Sequence, residues 1–425
     1  MESRRQFLQR AAGLAALAPA IAATGAPAPG SGARIVVVGG GYGGATVAKY
    51  LRMWSAGKVD VTLVETDSAF ISCPLSNLVL SGARSLAELT VPYDNLASRH
   101  GVRVLRDTAT GVDADARTVR LASGTTLPYD RLVLSPGIDF RSQLPALQSD
   151  AAQERVPHAW KAGPQTVLLR RQLEAMPDGG VFAISIPVAP YRCPPGPYER
   201  ACQVAWYFKR AKPKSKVLIL DGNPEITSKA GLFRRAFEEA YKGIVEYRPN
   251  LMLVDVDVAT RTLKFEFEDP VKADVLNVIP PQGAGSIARS AGVITANDRW
   301  CEVDFLTMES VKVPRIHILG DAIQVAANMP KSGHMANQHG KVCAAAVLAL
   351  LDGQSVDPAP VMANTCYSFI TDREAVHVAS VHQYDAQKKT MLPVPGAGGL
   401  STAMNPQEGS YGFAWARSIW ADMLA

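Results

Sequence analysis

The sequence predicts an α/β protein with two Rossmann-like dinucleotide-binding domains and a third, C-terminal part. Three observations predict it. Arg34–Val38 is a continuous β-branched run that meets a glycine-rich turn and then a helix-like segment. A second such run, Val181–Ile186, is followed by a helical segment over 201–210 and a further strand, Lys216–Asp221. The 425 residues are 47% apolar and 20% charged, which excludes a disordered chain, a coiled coil and a collagen. A formal net charge of +5 spread over this length gives no electrostatic case for nucleic-acid binding.

The first thirty residues read as an export signal. Arg4 and Arg5 precede Phe7-Leu8 and an apolar stretch from Ala11 to Ala23, and small residues and prolines follow. Paired arginines at this spacing are similar to a twin-arginine signal, which carries folded, cofactor-loaded proteins across the bacterial inner membrane. A periplasmic location is therefore expected. No 18-residue apolar run lies beyond this segment, so no membrane span is expected in the mature chain.

Strand Arg34–Val38 reads as buried on both faces. Gly39, Gly41 and Gly44 follow as a G-x-G-x-x-G fingerprint that opens a helix. The first glycine makes the tight turn, the second admits a pyrophosphate close to the backbone, and the third lets helix pack on strand. The next strand, Val59–Val64, ends at Glu65, 21 residues after Gly44, where a carboxylate takes a ribose 2′-hydroxyl. An adenine dinucleotide is expected here. Two later segments make it FAD. Tyr129–Gly137 is a strand entering a small-residue turn, and Val313–Ala322 is a strand ending in Gly320-Asp321. Both resemble the additional motifs of two-dinucleotide-domain flavoproteins, the disulfide-reductase-like class, where the Gly-Asp aspartate binds the ribityl or phosphate part of FAD. His317, inside that strand, is expected in the core.

In the second Rossmann-like unit the glycine loop is missing. Pro187, Pro190, Pro194, Pro195 and Pro197 crowd the turn after Ile186. Proline has no N–H to offer a phosphate. Electrons are thus expected neither to come from nor to go to NAD(P). The replacing loop carries Cys193 and Glu199, a candidate reaction centre.

The six cysteines are Cys73, Cys193, Cys202, Cys301, Cys343 and Cys366. They form no C-x-x-C pair and no C-x-x-C-H, so neither a structural metal site nor a c-type haem is expected in this chain. Cys193 and Cys366 are 173 positions apart, and spacing leaves their pairing open.

Seven stretches carry a closer resemblance: GGGYGGATVAK from Gly39, CPLSN from Cys73, PHAWKAGPQT from Pro157, RCPPGPYERA from Arg192, NVIPPQ from Asn277, MPKSG from Met329 and NTCYS from Asn364. On these the chain resembles the flavoprotein subunit of flavocytochrome c sulfide dehydrogenase, with its sulfur-oxidation homologues. The resemblance implies FAD held by a thioether to Cys73, a redox disulfide between Cys193 and Cys366, sulfide as substrate, and a separate c-type cytochrome subunit as acceptor. Pro74 departs from the pattern and puts the local turn in question. Cys202 and Cys343 match no functional position, and the sequence assigns no role to Cys301. Glu199 reads either as a proton acceptor for sulfide or as a helix N-terminal carboxylate. Lys331 and Ser332 precede a helix expected from Gly333 to Leu351, whose N-terminus would stabilise negative charge on reduced flavin. Tyr411, Phe413, Trp415 and Trp420 read as packing or as the approach to the flavin.

The expected organisation is a FAD-binding domain at 33–150 and 280–345, a second Rossmann-like domain at 151–279 and a C-terminal interface domain at 346–425. Two other functions remain open on the residues alone. One is a sulfide:quinone oxidoreductase, although residues 393–425 show no sustained basic amphipathic helix. The other is a non-catalytic flavoprotein partner of a sulfur-oxidation complex.

Overall fold

The computed structural model describes residues 32–141 and 143–425; the segment read as an export signal lies outside them. The chain opens with strand β1 (Arg34–Val38), helix α1 (Tyr42–Trp54) and strand β2 (Asp60–Glu65). β1 and β2 pair in parallel, with Val36 opposite Thr62. Ile35, Val36, Val37 and Val38 are all buried, as a strand covered on both faces requires. Strands β3 (Arg103–Arg106) and β4 (Arg131–Leu134) join the two outer sides of this pair, again in parallel.

The second unit contains β5 (Val181–Ile186), helix α2 (Gly196–Ala211), β6 (Lys216–Asp221), β7 (Val245–Arg248) and β8 (Val275–Val278). Its four strands form a parallel sheet in the order β7-β6-β5-β8. Helix α2 starts five residues before the expected Ala201. Pro195 caps it and Pro197 sits in its first turn, where the missing N–H has no intrahelical partner to lose. The correction moves Glu199 out of the loop and into the first turn of a helix.

The chain then returns to the first sheet with β9 (Val303–Asp304), β10 (Glu309–Ser310) and β11 (Ile316–Ile318). The completed seven-stranded order is β9-β10-β11-β4-β1-β2-β3. His317 is fully buried on β11, and its Nδ1 is 2.8 Å from the Thr307 carbonyl oxygen. Helix α3 (Gly333–Leu351) has the expected bounds, with Ser332 as its cap: the serine oxygen accepts from the Met335 N–H at 3.0 Å.

The C-terminal part is an antiparallel sheet of β12 (Val361–Phe369), β13 (Ala375–Asp385) and β14 (Thr390–Pro393), followed by helix α4 (Pro406–Leu424). Asn405 caps α4 by accepting from the Glu408 N–H. Arg417 is the only basic residue of α4. Among the described residues no helix is long and apolar enough to cross a membrane. Nor does any group of three or more His, Cys, Asp or Glu side chains there form a metal-binding cluster.

Candidate active site

The three parts meet around one cleft with about 1410 Å³ of empty space, counting its mouth to solvent. Gly41, Glu65, Cys73, Cys193, Glu199, Gly320, Asp321, Lys331, Ser332 and Cys366 all line it.

At one end lies the glycine turn. A side chain at Gly44 would put its Cβ 1.7 Å from the Gly39 carbonyl oxygen, so this contact between turn and helix admits only glycine. Gly39 has φ +95° and its own Cβ would stand 2.3 Å from the Ser135 oxygen. Gly41, by contrast, faces nothing within 4 Å. The turn is closed by contact at two glycines and open at the third, the arrangement that lets a pyrophosphate approach the backbone. Glu65 closes this end: Oε2 accepts from the Gly40 N–H at 2.5 Å, and Oε1 accepts from the Thr66 and Asp67 N–H groups.

Asp321 supplies a second test of fit. Its Oδ1 is buried with no hydrogen-bond partner, and burial raises its pKa against the pull of Arg192 and Lys331. An unsatisfied buried oxygen facing the cleft is suited to a ribityl hydroxyl of a bound dinucleotide. Lys331 plays a different part from the one expected of a free cation. Its ammonium donates to the carbonyls of Asp321 and Ile323 and lies 3.6 Å from the centre of the Trp300 ring. Its backbone carbonyl accepts from the Cys193 N–H at 2.8 Å. It therefore ties the Gly-Asp turn to the cysteine loop.

Cys73 sits at the head of a tight turn whose carbonyl accepts from the Ser76 N–H and hydroxyl. The departure at Pro74 is absorbed there: the Ser72 hydroxyl donates to the Pro74 carbonyl at 2.7 Å. The Cys73 Sγ lies 3.0 Å from Arg192 Nη2, a contact the sequence did not single out.

Cys193 has a left-handed backbone, φ +55°, uncommon for a residue with a Cβ and typical of strained functional positions. Gly196 makes room for it, since a Cβ there would stand 2.9 Å from its Sγ. Cys366 is on β12. Both are unbridged thiols in this structure, and both are part-buried. Burial pushes the Cys193 thiol far up, and the nearby Glu199, Cys366 and Cys73 add to that. Burial also raises Cys366, but Lys229 and hydrogen bonds to Asn364 and Ser332 pull it back.

Glu199 is buried in the first turn of α2. Its Oε1 accepts from the Phe369 N–H at 3.0 Å and its Oε2 from Asn77 Nδ2 at 3.1 Å. Burial raises its pKa, and the Phe369 N–H opposes the rise most. Asn77 in turn accepts from Arg200 Nε, and the Arg200 guanidinium is held by the Asn277 side chain and the Ala159 carbonyl. Asn77, Arg192, Arg200 and Lys229 are site residues that sequence reasoning missed. The first three lay inside recognised motifs; Lys229 lay in none. The aromatic tail divides. Trp415 lines the cleft, Trp420 Nε1 donates to the Tyr42 hydroxyl, Phe413 packs on Phe369 and Tyr411 is half exposed.

The second Rossmann-like unit has its own nucleotide end closed. Asp221, at the tip of β6, accepts from the hydroxyls of Tyr198 (2.6 Å) and Tyr247 (3.1 Å) and from the Asn223 backbone and side chain. Tyr198, on the first turn of α2, is fully buried where a phosphate would need an open helix N-terminus. We therefore expect about 100 µM NADH, within the usual range of Michaelis constants, to leave the visible flavin band of the purified protein unbleached. Rapid bleaching would contradict this.

Fold and cleft together define a flavin-binding oxidoreductase of the two-dinucleotide-domain kind. Residues 33–166 match the pyridine nucleotide-disulphide oxidoreductase family. Residues 166–280 match the central region of the sulfide dehydrogenase (flavocytochrome c) flavoprotein chain, and residues 358–424 match the flavocytochrome c sulphide dehydrogenase flavin-binding family. The flavoprotein chain of that enzyme from Chlorobaculum thiosulfatiphilum is 59% identical over 46 residues, 11% of this chain and 94% of the relative. The chain belongs to the flavocytochrome c sulfide dehydrogenase flavoprotein family, and its cofactor is FAD. The mitochondrial sulfide:quinone oxidoreductase of Mus musculus is 24% identical over 323 residues, spanning 70% of this chain and 66% of the relative. The X-ray structure of sulfide:quinone oxidoreductase from Aquifex aeolicus superposes with a TM-score of 0.75 at 18% identity, covering 92% of this chain and 91% of that one. Putidaredoxin reductase, in its covalent complex with putidaredoxin, superposes with a TM-score of 0.65 at 19% identity, covering 91% of this chain and 93% of that one.

Proposed function

We propose that this protein oxidises sulfide through a redox disulfide between Cys193 and Cys366 and passes the electrons to a c-type cytochrome subunit. The observation that carries this is convergence: two cysteines 173 positions apart, a buried carboxylate and a dinucleotide-binding turn line the same cleft. Sulfide attacks one sulfur of the disulfide, leaving a persulfide on that cysteine and a thiolate on the other. Glu199, whose oxygens are fixed by the Phe369 N–H and Asn77, takes a proton from sulfide or the persulfide. When bound in this cleft, FAD supplies the two-electron acceptor. Gly41, Glu65 and Asp321 would hold its pyrophosphate, ribose and ribityl chain, and Cys73 would form the thioether. The cytochrome partner is supported by family membership, by the lack of a haem motif in this chain and by a closed nicotinamide end. The twin-arginine segment supports periplasmic export after the flavin is loaded.

Purified holoprotein mixed with sulfide and oxidised cytochrome c tests the reading. Sulfide-dependent cytochrome reduction is expected. Reduction of a quinone but not of cytochrome would favour sulfide:quinone chemistry, and no reduction of either would favour a non-catalytic flavoprotein.

A further inference from the structure

We propose that Lys229 is a positioning residue for the reaction: a buried cation that holds the Cys366 segment and stabilises negative charge on the Cys366 sulfur. This rests on the disulfide reading above. Lys229 sits in a loop of the second Rossmann-like unit, after β6, and reaches across to the C-terminal sheet. Its ammonium donates to the Cys366 carbonyl at 2.8 Å and to the Ser368 hydroxyl at 2.7 Å. The residue is 5% exposed. No carboxylate among the described residues lies within ion-pair distance of it, so its charge is solvated by these oxygens and by whatever charge develops nearby. Its backbone is left-handed, φ +56° and ψ +35°, a conformation that costs a lysine energy and persists where the surroundings demand it. A lysine buried without a carboxylate in ion-pair reach, on a strained backbone and tied to the residue that carries a reactive sulfur, is hard to account for by packing alone.

The chemistry explains what the cation does. When HS⁻ attacks Cys193, the disulfide breaks, the incoming proton stays on the Cys193 persulfide and Cys366 leaves as a thiolate. When HS⁻ attacks Cys366, Cys193 leaves as the thiolate, and the Cys366 persulfide becomes an anion once it gives its proton to Glu199. In both cases two electrons stay on sulfur and a negative charge comes to rest at Cys366. The Lys229 ammonium is tied to the Cys366 backbone, and its charge opposes the effect of burial on that thiol. The groups that face Lys229 from the surrounding elements are Cys366, Glu199, Cys193 and Glu408, and all four favour its charged form; burial outweighs them and brings its own pKa down to about 8.

The test is the pH profile of iodoacetamide alkylation at Cys366, read by peptide mass spectrometry on reduced holoprotein carrying Cys193→Ser. It needs no sulfide turnover, so it can fail while the sulfide reading stands, and the reverse. Lys229→Gln keeps a hydrogen-bond donor but removes the charge. It should slow alkylation at pH 8 about tenfold, the scale for one lost neighbouring charge. Lys229→Arg should preserve the wild-type rate at pH 8. An unchanged profile in Lys229→Gln, or an equal loss in Lys229→Arg, would overturn the proposal, because either would make the lysine a mere strand anchor. If Lys229→Gln does not fold, Lys229→Met takes its place: alkylation at pH 8 should again slow about tenfold, and an unchanged rate would overturn the proposal.

Discussion

Serine at position 193 or at position 366 is expected to abolish sulfide-driven bleaching of the flavin band while leaving fold and flavin content intact. The magnitude should be large, at least ~10³-fold, because a residue that forms a covalent intermediate cannot be bypassed by its neighbours. The two variants are expected to agree in outcome and to differ in origin. Cys193 is fixed by the Lys331 carbonyl and the Gly196 gap, whereas Cys366 is fixed by β12 and Lys229. A bridge that served only stability would give another result: a loss of about 2–5 kcal/mol with sulfide reduction preserved. Stopped-flow measurements at a temperature where both variants are folded separate the two outcomes. Glu199→Gln should cost less, about 10²-fold, the lower end for a lost general base. Near-wild-type rates in both serine variants would mean that the reaction centre lies elsewhere.

Cys73→Ser is expected to convert a covalent flavin into a dissociable one. Denatured wild-type protein should keep its yellow colour and show a mass increase equal to FAD; the serine variant should release flavin on acid precipitation. The site favours such a bond. The thiol lines the cleft beside the flavin-binding turn, and the Arg192 guanidinium is 3.0 Å from its sulfur. Free FAD released from the wild type would dismiss the thioether and leave the dinucleotide site untouched, since Gly39, Gly41, Gly44 and Glu65 act independently of Cys73.

Much of this site is legible in the sequence, for a local reason. The glycine turn, Glu65 and Gly320-Asp321 are spaced by the geometry of a strand, a turn and a helix, and that geometry is short-range. The cysteines were legible through motifs, not through spacing. What stayed hidden depends on tertiary convergence. Asn77 reaches Glu199 across 122 positions and Arg200 across 123. Lys229 meets Cys366 across 137. No periodicity marks such contacts. The early start of α2 was missed because prolines argued for a loop, although a first helical turn tolerates them. The prolines argue against a phosphate cradle after Ile186, but the contacts at that end, Asp221 bound by Tyr198 and Tyr247, have no sequence signal.

The short chain of hydrogen bonds behind Cys73 bears on the order of assembly. Trp420 on α4 donates to the Tyr42 hydroxyl, which is 2.7 Å from the Ser72 hydroxyl, which in turn donates to the Pro74 carbonyl of the Cys73 turn. The first link joins residues 378 positions apart. Such distant contacts form late, because a long loop must close before they bring any gain. A nascent chain can complete the β1–α1–β2 unit while α4 is still unmade, but it cannot brace the turn that presents Cys73. The turn that carries Cys73 therefore gains its outermost support only when α4 docks.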